Sequence, residues 1–575
     1  MRSLTWAVLL LIAAIPLSGE TPARAASGGG ADQTRGAVNA ASAWPLVRSV
    51  QRRLRDIGLY RGQMNGLLDD TTRAAVERYQ AQAGLPVDGL VTEALREHLD
   101  DAPTQARRLL RRLEQARLRQ IDEARTAIQS APDTQDLLAS ARKVQRLGEL
   151  STAERAACAK SADSDCLIAT ALEDLVKVTD AEQRNWALGE LAQARALEAD
   201  IEGALGLTVR ISDPRRVIES LHDTAVLIAL LAPVETAVDM VGAIPIPRRR
   251  LAGYTEVAAA LAMRGEEKAA RDLAARAAAE ASQLESPLDQ VTVQAHAAGV
   301  LARAGAPQEG VKTLESLETA ISRLPFDTHK GVALKDISAA WLKLENPDRA
   351  GRLLEEIPKD GPLADVARMD WAIAAARSGD VAAAMKNVSR IQDRKRRAPV
   401  WAEIALAHAE RGETAAAEKA VQQGVSVLPT GTAGVAGRSM LAEAAAHFTA
   451  PDRAQEILGD LVGTIAAPAV SWRMARAFEA RGDAPTATRL RERALTLARD
   501  LPAGLDRIWV LGDLAVLARA DGESETAKDL QKDMLRAAQA IETPWFKVRA
   551  LARTARVATL LSADDAAFKI LTATP

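Results

Sequence analysis

The sequence predicts an all-α protein, and three observations carry that prediction. From about residue 180 onward, small residues recur in pairs 12 positions apart, and the pairs follow one another every 33 to 40 residues. A turn-forming residue separates the two members of most pairs, as Gly265, Gly305, Gly379, Gly412, Gly482 and Gly522 do. Before residue 100, apolar residues fall at helical spacing and are punctuated by Gly-rich turns.

The chain opens on a stretch that reads as a secretory signal. Arg2 supplies a positive start, Leu4 to Leu17 an apolar core too short to span a bilayer, and Ala23-Arg24-Ala25 a cleavage site. Residues 1–25 are therefore expected to be removed, leaving a periplasmic or secreted chain. Residues 26–43, with Gly28-Gly29-Gly30, read as a flexible linker. No later run of apolar residues is long enough and free enough of charge to suggest a membrane span.

Residues 44–101 form the first domain. Val47, Val50, Leu54 and Ile57 share one face of a first helix, Ala75, Val76 and Tyr79 one face of a second, and Leu95 and Leu99 a third. Between the helices stand Gly58-Leu59-Tyr60, Met64-Asn65-Gly66 and Gly84-Leu85-Pro86-Val87-Asp88-Gly89. This order, and above all the run from Tyr79-Gln80 to Asp88-Gly89, resembles the peptidoglycan-binding-like family, a three-helix domain of cell-wall proteins. Asn65-Gly66 stands where that family usually has Asp-Gly. The resemblance implies peptidoglycan as ligand and Tyr60, Asn65, Arg73, Tyr79 and Asp88 as candidate contacts. The alternative keeps Tyr79 in the core and gives Gly66 and Gly89 only the task of making turns.

Residues 102–179 are expected to be a helical linker. Arg107, Arg108, Arg111, Arg112, Arg117 and Arg119 alternate with Leu109, Leu110, Leu113 and Leu118. Such a basic amphipathic helix suits an anionic surface or a solvated arm. Cys158 and Cys166 follow. In an exported chain a disulfide between them is the expectation, clamping an acidic hairpin loop around Asp163 and Asp165; two buried thiols are the alternative. Calcium is not expected there, because the Gly and distal Glu of an EF-hand loop are missing.

Residues 180–575 carry the repeats. The second small residue of each pair is Ala204, Ala237, Ala270, Gly310, Ala350, Ala384, Ala417, Ala454, Ala487, Ala527 or Ala567, and the first lies 12 positions earlier. Each unit should be a helix, a tight turn and an antiparallel helix whose small residues let the backbones approach. A hairpin of this kind cannot bury its own apolar face, so about eleven of them should stack into an α-solenoid. Trp401, Ile404, Ala405, Gly412, Ala417, Val421 and Pro429 fall where tetratricopeptide repeats have their pattern residues, and the array resembles that family. In solenoids of this type the first helices line the concave side. All seven repeat tryptophans, Trp186, Trp341, Trp371, Trp401, Trp472, Trp509 and Trp545, sit on first helices, and about a third are expected to face that side.

Chemistry-bearing motifs are missing. The six histidines show no metal spacing, and His408 reads as a packed residue. There is no nucleophile elbow, P-loop or dinucleotide fingerprint. Glu219-Ser220, Glu285-Ser286 and Glu315-Ser316 match the dipeptide of lytic transglycosylases but lack the domain that class builds around it. The near balance of 74 Lys+Arg against 76 Asp+Glu gives no reason to expect nucleic acid. Two basic runs, Arg248-Arg249-Arg250 and Arg394-Lys395-Arg396-Arg397, open first helices, as a partner surface or as solvated turns.

The expected function is an exported, non-enzymatic envelope scaffold. It would bind peptidoglycan through its first domain and an unidentified envelope protein on the concave face, with no cofactor and no metal. A wall-remodelling enzyme or its regulator, resembling the lytic transglycosylases, is the first alternative. A scaffold whose small domain is only structural is the second.

Overall fold

The structure is a computed structural model. It describes residues 40–573 except 58, 61, 63, 84, 101–157, 159–162, 323–327, 358–361, 430–433, 460 and 462. The signal stretch, nearly all of the Gly-rich linker and the Arg/Leu stretch lie outside the described residues. No strand occurs among those described. The chain divides into two compact units, one holding the small domain and one the repeats.

The small domain has three helices: α1 (Ala40–Asp56), α2 (Asp70–Ala83) and α3 (residues 93–100). Val50, Leu54, Ala75, Val76, Leu95 and Leu99 meet in its core, as their helical spacing predicts. Tyr60 and Tyr79 are buried with them.

The repeat unit begins with α4 (Ser164–Leu175), whose first turn is tied by a disulfide from Cys166 to Cys158, the two Cα atoms 4.9 Å apart. The acidic stretch expected to be a hairpin loop is in fact the start of α4. Asp163 is its N-cap residue, and Asp165 in its first turn pairs with Arg195. Eleven first helices follow: α5 (Ala181–Leu197), α7 (Pro214–Leu231), α9 (Pro247–Arg264), α11 (Pro287–Arg303), α13 (Thr328–Lys343), α15 (Pro362–Arg377), α17 (Arg397–Glu410), α19 (Val435–Ala446), α21 (Ala467–Ala480), α23 (Leu505–Ala520) and α25 (Pro544–Ser562). The second helices alternate with them: α6 (Ile201–Thr208), α8 (Val234–Gly242), α10 (Glu267–Ala281), α12 (Pro307–Ser322), α14 (Pro347–Glu356), α16 (Val381–Val388), α18 (Thr414–Ser426), α20 (Pro451–Gly459), α22 (Ala484–Asp500), α24 (Ser524–Gln539) and α26 (Asp565–Thr572).

The small pairs sit where the helices of a hairpin cross. Of their 22 members, 21 are buried. At Gly310 the backbones approach so closely that a Cβ would stand 2.7 Å from the Ala298 carbonyl oxygen. Ser338 fits because its hydroxyl donates to the Ala350 carbonyl at 3.3 Å. Five residues before the second small residue, the chain often turns left-handed. Six glycines take positive φ there, and so do Ala199 (φ 56°) and Glu345 (φ 55°), which are not glycine.

The exception among the small residues is Ala567, which is only partly buried. Its helix, α26, touches both α25 and α7 only lightly. The place beside α25 is taken by α4, from the other end of the unit. Leu167, Ile168, Ala171, Leu172 and Leu175 of α4 share one core with Val548, Leu551, Ala552 and Ala555 of α25. Lys547 pairs with Asp174 at 3.2 Å, and Thr559 hydrogen-bonds Ser164 at 3.2 Å. Each first helix also packs on the next, from α5 to α25, and α25 packs back on α5. The α-solenoid of eleven pairs is therefore joined end to end. The segment read from sequence as linker supplies the second helix of the last pair. Among the described residues no second helix packs comparably on the next one. The first helices thus lie on the inner side of the curve.

Candidate functional site

In the small domain two glutamines build two matching turns. The Gln51 side chain on α1 accepts the Gly66 N–H at 2.9 Å and donates within reach of Asn65 Oδ1 (3.2 Å) and the Leu67 carbonyl (3.0 Å). Asn65 Oδ1 in turn accepts the Leu67 N–H at 3.0 Å. The Gln80 side chain on α2 accepts the N–H groups of Asp88 (3.1 Å) and Gly89 (2.9 Å) and donates to Asp88 Oδ1 at 2.6 Å. Asp88 Oδ1 accepts the Leu90 N–H at 2.9 Å. Both turns need a left-handed glycine, with φ of 77° at Gly66 and 66° at Gly89. The Leu90 N–H and then Gln80 hold the Asp88 carboxyl below the usual carboxylate range.

The five candidate contacts divide accordingly. Tyr60 is buried, its hydroxyl within 3.3 Å of Gln51 Nε2 and 3.4 Å of Thr72 Oγ1. Tyr79 is buried against His98, with its oxygen 2.6 Å from Nδ1, and burial pushes its hydroxyl pKa up. Asn65 and Asp88 shape the turns. Arg73 stays exposed on α2, its stem beside Gly89. Thr72, next to it, bonds the Leu67 carbonyl at 3.1 Å. The first turns of α2 thus bring both glycine turns together. The two turns and their flanks leave an apolar surface for a ligand: Leu67 (54% exposed), Leu68, Val87 (59%) and Leu90 (52%). Sequence reasoning passed over Gln51 and these four residues. The signal lay in the repeat of Asn65-Gly66-Leu67 as Asp88-Gly89-Leu90, each answered by a glutamine on a helix.

The inner face of the repeat unit carries a second pattern. Two residues along a helix turn about 200°, so the residue two before each first small residue points away from the hairpin partner. Those residues are Glu190, Asp223, Glu256, His296, Asp336, Asp370, Glu403, Met440, Arg473, Asp513 and Arg553. All but Met440 are ionisable, and many bridge neighbouring first helices. His222 pairs with Glu256 at 3.2 Å, Thr292 with Asp336 at 2.9 Å, Arg377 with Glu403 at 2.6 Å and Arg553 with Asp513 at 2.5 Å. His222, held between Asp223 and Glu256, has its pKa pushed up to about 9. Burial pushes the Asp370 and Asp513 carboxyls up and the His296 imidazole down.

Of the repeat tryptophans, Trp341 and Trp472 are fully buried, and their indole N–H groups bond Glu318 and Asp521. Trp186 is the exposed one, at 36%. Glu219 and Glu315 are surface residues paired with Arg216 and Arg349. No cluster of His, Cys, Asp and Glu able to hold a metal occurs among the described residues.

Residues 45–99 match the family model described as "Putative peptidoglycan binding domain". No curated protein matches the chain. Solved structures similar to it include Ton1535 from Thermococcus onnurineus NA1, at 17% identity over 53% of this chain and 97% of that one, with a TM-score of 0.26. The APC/C hetero-tetramer Cut9–Hcn1 matches at 14% identity over 68% and 83%, with a TM-score of 0.22. A circular tandem repeat protein matches at 14% over 87% and 86%, with a TM-score of 0.14. Residues 45–99 thus match a peptidoglycan-binding family model, and the described residues after them form an array of repeated helical hairpins.

Proposed function

We propose that the protein is an exported scaffold of the cell envelope. Its first domain holds peptidoglycan, and its repeat unit receives an envelope protein on the inner face. It does no chemistry of its own. The observation that carries this reading is the family match at 45–99, falling on two paired turns that leave Leu67, Leu68, Val87 and Leu90 uncovered. Signal-peptide cleavage near Ala25 would deliver the chain to the wall, and no helix among the described residues is long and apolar enough to cross a membrane.

The test is co-sedimentation with purified sacculi. The full chain should pellet, and a chain lacking 44–101 should stay in the supernatant. Pelleting unchanged by that deletion removes the anchoring role. Release of soluble muropeptides during the incubation, abolished by Glu219→Gln, Glu285→Gln or Glu315→Gln, would instead favour a wall-remodelling enzyme.

A further inference from the structure

The first helices of the repeat unit all run the same way, so the ends of its hairpins form two edges. The turns within hairpins lie at one edge, and the connections that lead into first helices lie at the other. The bond from the Ser212 N–H to Asn185 Oδ1, at 2.9 Å, ties the start of α5 to the connection that enters α7. The end-to-end joint brings the end of α4 to the same edge, because Asp174 pairs with Lys547 at the start of α25.

Four large apolar side chains stand out along one arc of this edge, from α25 across α5 to α9. They are Phe546, Val176, Val209 and Ile246, between 43% and 78% exposed. Each has a cation beside it in the chain, as Phe546-Lys547, Val176-Lys177, Val209-Arg210 and Ile246-Pro247-Arg248. The connections of this arc, 176–186, 209–216, 244–250 and 541–547, hold nine Lys and Arg against four Asp and Glu. The opposite edge of the same hairpins, 163–166, 196–202, 231–236, 264–268 and 560–566, holds two against ten. Arg215, Arg216 and Arg248-Arg249-Arg250 fall in the first turns of α7 and α9, where positive charge opposes the helix dipole. Helix stability therefore does not account for them.

We propose that this arc is a docking surface for an anionic lipid bilayer. Phe546, Val176, Val209 and Ile246 enter the boundary between headgroups and acyl chains, and the cations beside them meet the lipid phosphates. A protein interface gathers its strongest contacts near one centre. Here the apolar tips are separate, one to a connection and each with its own cation, which suits a broad charged surface. The acidic opposite edge would be turned away from such a surface by the same field, so the repeat unit would settle in one orientation. The site does not depend on the wall-binding role of the first domain.

The full chain is sedimented with vesicles of phosphatidylglycerol and phosphatidylcholine in equal parts, and with vesicles of phosphatidylcholine alone. It should pellet with the anionic vesicles, stay in solution with the neutral ones, and be released by added salt. The pairs Ile246→Asp/Phe546→Asp and Arg215→Gln/Arg249→Gln should each weaken anionic-vesicle binding by at least about tenfold. The melting curve should be unchanged, because Ile246 is the N-cap of α9 and Phe546 lies in the first turn of α25, where aspartate is well tolerated. No pelleting with anionic vesicles, or equal affinity of the wild type and both variants, overturns the site. Binding to poly-glutamate in place of the vesicles would also overturn it and make the arc a face for an acidic protein.

Discussion

Arg549 and Glu190 stand 359 residues apart in the chain, yet Arg549 Nη2 lies 2.8 Å and its Nε 3.0 Å from the same Glu190 oxygen. This pair ties the last first helix, α25, to the earliest, α5. Arg556 and Gln193 repeat the connection beside it, and α4 completes the hairpin behind it.

Breaking that pair should open the junction before it unfolds the array. Both side chains are less than a fifth exposed. Arg549→Leu leaves Glu190 uncompensated and should cost about 2–3 kcal/mol. Hydrogen exchange should quicken in α4, α5 and α25, while α13 to α17 keep their protection, because each hairpin touches only its neighbours. Uniform quickening along the unit would contradict an end-to-end joint.

Two alanines of the same sequence pattern should behave differently. Ala417 is buried at a crossing, so Ala417→Leu should cost about 1–3 kcal/mol. Ala567 is only partly buried, α4 having taken the place beside α25, so Ala567→Leu should stay within about 0.5 kcal/mol of wild type. Denaturant midpoints of the two variants make the comparison.

The repeat period was legible because it is written in steric terms. Only a small residue at each crossing lets two helix backbones approach, and only a left-handed residue ends the first helix so tightly. Both requirements recur at fixed intervals in the chain. The joint between α25 and α5 was not legible. Ala567 satisfies the period although α26 does not complete the pair, and α4 carries no marker of the period. Arg549 and Glu190 look like any surface charges until the array curves back. In the small domain, Tyr79-Gln80 and Asp88-Gly89 stood out as a motif. The part played by Gln51 did not, since a single glutamine on a polar helix face carries no signal by itself.

Glu345 occupies a left-handed turn position that glycine fills in six other units. A side chain there costs roughly 1 kcal/mol, offset in part by the freedom glycine would bring to the unfolded chain. Glu345→Gly should therefore raise stability by about 0.5 kcal/mol, read from the urea midpoint. The same change at Glu355, inside α14, should lower it by about 1 kcal/mol.

His222 should make the repeat unit sensitive to mildly alkaline pH. Its folded pKa, about 9, lies above its ordinary value of 6.5, because Asp223 and Glu256 favour the imidazolium. The stabilisation is complete below pH 6.5 and fades as pH rises through 9. It should be worth on the order of 2 kcal/mol. His222→Gln should lower the melting temperature at pH 6 and converge on wild type near pH 10. A constant difference across that range would exclude the imidazolium as the stabilising form.

The central claim is that the uncovered apolar rim of the two glycine turns is what holds the wall. The most direct measurement is the sacculus affinity of the Leu67→Asp/Leu90→Asp double variant in the full chain. Both residues are more than half exposed, so the fold and the melting curve should be unchanged. The account predicts that binding falls by at least about tenfold, as expected when two central apolar contacts are lost. Undiminished sedimentation of this variant with sacculi would contradict it.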